Sequence, residues 1–125
     1  MIAGAHVLIY AEDADKARAF LRDVLGWEHV DAHDGWLIYA LPPAELGVHP
    51  AESEEGALEN GSHELFLMCH DIEQTVAELE AKGAEFEDDI ADRGFGRLVH
   101  LRVPGAGTIG LYQPKHASPL REFST

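Results

Sequence analysis

His6 and His63 are the residues whose type and spacing first suggest chemistry. Each opens an apolar stretch that runs into an amphipathic helical pattern closed by glycine. The first is AHVLIYAEDADKARAFLRDVLG and the second SHELFLMCHDIEQTVAELEAKG. His6 falls on His63 and Gly26 on Gly83, both shifts being 57 positions. Two copies of one unit are the simplest reading of such a match. An imidazole at a strand start can hold a ligand, a water or a metal ion, and it changes charge near neutral pH. A shared offset speaks for common ancestry of the halves, so the pair alone leaves these roles open.

The elements that must position these histidines follow from the pattern. Ala3 to Ala11 is a near-continuous apolar run, as expected of a strand covered on both faces. Asp13 can cap the next helix, whose buried stripe is Ala14, Ala17, Leu21, Val24 and Leu25. Gly26 ends it. Short strands fit Trp27 to Ala32, Trp36 to Leu41 and Glu45 to His49, with Asp34-Gly35 as a hairpin turn and Pro42-Pro43 as a break. Pro50 to Gly61 is acidic and turn-rich, and joins the halves.

The second half repeats the order. Ser62 to Cys69 is a strand, and Asp71 with Gln74 is close to a capping box. Ile72, Val76 and Leu79 make the helical stripe, and Glu78 with Lys82 adds a favourable pair. Strands then fit Ala84 to Ile90, Arg97 to Val103 and Thr108 to Gln113. Asp92 to Gly96 is a loop, and Pro104 to Gly107 a turn. One domain over residues 1–125 is expected: unit one 1–50, a linking loop 51–61, unit two 62–114 and a tail 115–125.

Composition narrows the partners. Nine basic against 23 acidic residues give a net charge of −14, which repels phosphate backbones and anionic lipid. No nucleic-acid or membrane partner is expected. No apolar run reaches the roughly 20 residues of a membrane span, and no secretory signal is visible, so the expected location is cytoplasmic. Cys69, the single cysteine, sits in an apolar strand and reads as a buried thiol.

A βαβββ unit occurring twice, with histidine on each first strand, resembles the vicinal oxygen chelate superfamily. That group includes glyoxalase I, extradiol dioxygenases and the bleomycin-resistance proteins. The local matches are His63-Glu-Leu-Phe running into Asp71-Ile, and the ending Pro104-Gly-x-Gly-x-Ile-x-Leu-Tyr-Gln-Pro114. The resemblance implies an α+β fold: two tandem βαβββ units forming a curved, partly open eight-stranded mixed sheet with helices outside. It implies pairing of two copies as a homodimer, and a small-molecule ligand in the cavity of the curved sheet.

Metal-dependent members carry four ligands on the first and last strands of the units. Carried over, the first position is His6, the third His63, and the second Glu45, with His49 the competing choice if the register slips. The fourth falls on Gly110, which has no side chain to donate. The implied metal set is therefore His6, Glu45 and His63, suited to Zn, Ni, Mn or Fe. His33, His70, His100 and His116 are read as surface or cavity residues. Trp36, Tyr39, Phe95 and Tyr112 are read as core or pocket lining. Two functions follow. One is a glyoxalase- or dioxygenase-like protein acting on a small oxygen-rich molecule with a divalent metal, as a lyase, isomerase or dioxygenase. The other is a metal-free binding or drug-sequestering protein, which the missing fourth ligand favours.

Overall fold

The computed structural model describes residues 6–48, 52–53, 56–57 and 62–123. In chain order the elements are α1 (Ala14–Asp23), β1 (His29–Asp31), β2 (Leu37–Tyr39), β3 (Glu52–Ser53), β4 (Gly56–Ala57) and β5 (Phe66–Met68). Then come α2 (Ile72–Ala81), β6 (Ala91–Arg93), β7 (Gly96–Arg102), β8 (Thr108–Pro114) and a short 3-10 turn at Arg121–Phe123. The fold is α+β, as expected.

Both helices start as their sequences dictate. The Asp13 side chain accepts from the Lys16 N–H, and that of Asp71 from the Gln74 N–H at 3.1 Å, satisfying a donor that a helix start otherwise leaves orphaned. Asp71→Ala is expected to lower folding stability by about 1 kcal/mol. A urea denaturation midpoint that does not move would contradict this. The caps and helices also correct the repeat. Asp13 and Asp71 lie 58 positions apart, as do Ala14 and Ile72. The glycines keep a shift of 57 because Leu25 intervenes between the C-cap Val24 and Gly26, whereas Gly83 directly follows the C-cap Lys82. Counted back from the caps, His6 matches Glu64 rather than His63.

The second unit builds the sheet. Its strand order is β5-β8-β7-β6, with β5 parallel to β8 and the other pairs antiparallel. Residues 84–87 follow the same edge of β7, through the bonds Glu87 N–H to His100 O and Arg102 N–H to Glu85 O. Alternation along β7 and β8 buries Val99, Leu101, Ile109 and Leu111 on one face. Helix α2 covers part of that face, with Ile72 packed against Val99 and Leu111. The Ile72 N–H also donates to Gln113 Oε1 at 2.9 Å, which fixes the helix start against β8.

Helix α1 covers the rest of the same face. Ala17, Phe20 and Leu21 pack with Ala84, Leu101, Val103 and Ile109. The Asp13 N–H donates to Gly105 O at 3.0 Å, and Gly105 holds φ at 82°, a left-handed conformation suited to glycine.

Parts of the expected strands Ala3 to Ala11 and Glu45 to His49 lie outside the described residues. The described strands form sheets of two, two and four rather than one of eight. Residues 6–11 and 45–48, the described parts of two expected first-unit strands, are not in strands. The apolar stripe of α1 is occupied by the second unit's sheet, so among the described residues those segments are largely uncovered, although Ala11 packs against the core, and a parallel pair needs burial on both faces. Tyr10, Leu46 and Val48 stand 89%, 89% and 88% exposed. Among the described residues the first unit's strands are those of the β1–β2 hairpin, turned at Asp34-Gly35, both at positive φ. The joining loop holds the β3–β4 ladder, and β6 falls partly on the segment read as loop. His49 lies outside the described residues.

Candidate functional site

The face of the four-stranded sheet turned away from the helices carries the alternate residues. These are Phe66 and Met68 on β5, Leu98 and His100 on β7, and Gly110 and Tyr112 on β8. The register sets Gly110 between Phe66 on one side and His100 on the other. A side chain at Gly110 would overlap the Phe66 ring, so that ring occupies the space above the glycine. Gly96 does the same for Tyr112, whose ring lies over it. The aromatic groups then touch in sequence: Phe66 to His100 at 6.2 Å, Phe66 to Tyr112 at 6.0 Å edge-on, and Tyr112 to Phe95 at 6.2 Å. Such geometry is favoured by the ring quadrupole. The Tyr112 hydroxyl donates to Phe95 O at 2.8 Å, which holds the loop aromatic at the border of the face.

His100 supplies the polar centre. Its ring Nδ1 lies 2.7 Å from Asp88 Oδ2, and its backbone N–H donates to Asp88 Oδ1 at 2.8 Å. Burial opposes ionisation of Asp88. The two hydrogen bonds from His100 and its charge outweigh that, and hold the carboxyl below its ordinary value.

Glu45 is brought to the border of this face by the tail, not by a strand. Its side chain, 18% exposed, accepts a hydrogen bond from the Ser118 hydroxyl and lies 3.4 Å from His116 Nε2. The His116 ring in turn stands 5.7 Å from that of Tyr112. Burial, and secondarily the Glu45 charge, raise the Tyr112 hydroxyl above its usual value. Glu45→Ala is expected to free the tail and speed tryptic cleavage after Lys115 about fivefold. That is the population change given by ~1 kcal/mol of lost hydrogen bonding. Unchanged cleavage would contradict the clamp.

The expected metal ligands are not assembled. His6 is exposed outside any strand, and Glu45 is engaged by Ser118 and His116. His63 is exposed and lies ahead of β5, outside any strand, while Leu65 and Leu67 pack against the core. At the fourth position stands the Phe66 ring. Among the described residues no group of three or more His, Cys, Asp or Glu could hold a metal ion. As placed among the described residues, His6, Glu45 and His63 do not fit the implied metal.

Phe66 and the His100–Asp88 pair carry the face, and neither stands out in the sequence as part of a site. Counting back from the Asp71 cap rather than forward from His63 would have put Phe66 beside Gly110. Asp88 gives no such signal, because it meets His100 only through pairing across strands. Cys69 is buried as expected, and burial pushes its thiol up. Two depressions lie elsewhere. One of about 160 Å³ is lined by Cys69, His70, Gln113 and Phe123, and one of about 570 Å³ by Phe20, Val24, Ala84 and Val103. No helix among the described residues is long and apolar enough to cross a membrane.

Solved structures with the same fold include TnmS3, an antibiotic binding protein from a Streptomyces species, at 23% identity. It covers 92% of this chain and 100% of its own, with a TM-score of 0.60. A lactoylglutathione lyase from Agrobacterium tumefaciens is 19% identical over 89% of this chain and 92% of its own, at 0.61. A superfamily member from Sphaerobacter thermophilus is 24% identical over 90% and 98%, at 0.60. A comparison with curated proteins gives no match. The sequence model of the Glyoxalase/Bleomycin resistance protein/Dioxygenase superfamily matches residues 4–108. With the four-stranded sheet and its two covering helices, this match makes the chain a member of that superfamily.

Proposed function

We propose that the protein binds a small, planar organic molecule on the open face of the second sheet, without a metal ion. The observation that carries this reading is the Phe66 ring above Gly110. An apolar surface stands where the resemblance puts a carboxylate ligand, and Tyr112, Phe95, Leu98 and Met68 extend it. Aromatic and apolar lining with a few polar groups is what small-molecule sites use. The fold is shared with TnmS3, which binds an antibiotic, and with a lyase, so the fold alone does not choose between binding and catalysis. The missing ligand set favours binding.

A second copy of the chain walls the face and covers the apolar segments left bare. Val7, Leu8, Ile9 and Tyr10, together with Leu46 and Val48, form exposed apolar chain of the kind that seeks a partner. A homodimer in the micromolar range is expected by sedimentation.

The test is calorimetric titration of a panel of aromatic antibiotics into protein treated with a chelator, and into protein supplied with Zn, Ni, Mn or Fe. Binding that is the same with and without metal is the expected result. Binding or turnover that requires the metal would overturn the proposal.

A further inference from the structure

We propose that the Asp88-held imidazole of His100 is the ligand-selecting group of the open face, accepting a hydrogen bond from a hydroxyl on an aromatic ligand. The inference rests on the face-binding proposal above and names the ligand chemistry for it.

Three features carry it. Asp88 grips His100 twice, through the ring Nδ1 at 2.7 Å and the backbone N–H at 2.8 Å. An ionised carboxylate is acceptor-only, so Nδ1 carries the proton towards Asp88, and Nε2 of the neutral ring keeps its lone pair. Nε2 makes no hydrogen bond among the described residues. The ring is 35% exposed in the single chain, open to a ligand yet set among apolar neighbours.

Its surroundings define the rest of the ligand. Across the strand pair stands Gly110, which places no side chain beside the imidazole. Phe66 lies at 6.2 Å from it, and Tyr112 continues the aromatic surface. A flat ring therefore fits against Phe66 and Tyr112 while its hydroxyl reaches Nε2. The chain's net charge of −14 disfavours carboxylates and phosphates as the donor-bearing group, and leaves a neutral phenol or enol. An acceptor fixed in one tautomer discriminates through hydrogen bonding, because a ligand lacking the hydroxyl leaves Nε2 unpaired.

The probes are para-cresol at about pH 8, where an ordinary phenol and an ordinary imidazole are both uncharged, and its methyl ether para-methylanisole, which keeps the ring and loses the donor. Wild-type protein is expected to bind the phenol about fivefold to tenfold more tightly, the worth of one hydrogen bond. His100→Ala should bring that ratio to about one, leaving affinity for the ether within the scatter of the measurement. Asp88→Asn keeps the shape and should reduce the ratio, whereas Glu87→Gln, on the exposed edge, should not. Nitrogen NMR of the imidazole is expected to show Nδ1 protonated. Equal ratios in wild type and His100→Ala would overturn this inference while leaving the face as a binding surface. So would an Nε2-protonated ring. Failure of wild type to bind either probe would overturn the face-binding proposal, and this one with it.

Discussion

Gly110→Glu is expected to destabilise the fold and to create no metal site. Gly110 is buried, and a Cβ there overlaps Cγ, Cδ1 and Cε1 of Phe66, so the ring must leave before any carboxylate can enter. Overpacking of this kind costs about 1–3 kcal/mol, and an unpartnered buried carboxylate adds to it. The companion variant Gly110→Ala isolates the steric part. Combining it with Phe66→Ala should give less loss than the two singles added together, with a coupling of roughly 1–3 kcal/mol. Denaturant titration reads all of these. A Gly110→Glu protein as stable as wild type, with a newly measurable affinity for Zn or Ni, would place a vacant ligand position where Phe66 is described.

Leu101→Ala is expected to have the largest effect of any single truncation. Leu101 has no exposed surface, lies in the same cluster as Phe20 and Leu21 of α1, pairs with Ile109 and bridges Phe86. Truncation there loses transfer energy and leaves a cavity between helix and sheet, at a cost of about 2–5 kcal/mol. That is a large fraction of the 5–15 kcal/mol typical of a folded domain. Leu46→Ala is the contrasting case, since Leu46 is exposed and its loss from a lone chain should fall within about 0.5 kcal/mol. A larger, concentration-dependent loss for Leu46→Ala would identify it as covered by the second copy.

The helices were legible in the sequence because local chemistry sets them. Asp13 and Asp71 cap, the apolar stripes repeat at helical spacing, and Gly26 and Gly83 end both at positive φ. The second sheet was legible for a related reason: Val99, Leu101, Ile109 and Leu111 alternate with residues of the open face. The first unit's outer strands were not, although their pattern is as strong. Whether residues 6–11 form a strand depends on what covers them, and α1 is engaged with the other half of the chain.

The site was half legible. The sequence draws notice to Gly110, but what fills the space beside it is decided by strand pairing, which sets Phe66 opposite. A count anchored on His63 is one residue out from a count anchored on Asp71. One residue exchanges the two faces of a strand, and the observed register sets Phe66 opposite Gly110. The pairing of Asp88 with His100 and of Glu45 with Ser118 spans chain separations that no local pattern reports.

The most direct measurement is an amide NMR titration of para-cresol into isotope-labelled protein in the presence of a chelator. Saturable shifts concentrated at residues 64–68, 96–100 and 110–112 are expected, with the same saturation when zinc replaces the chelator. Shifts confined to the depression around Phe20, Ala84 and Val103, or shifts at the open face that appear only with zinc, would contradict a metal-free site on the second sheet.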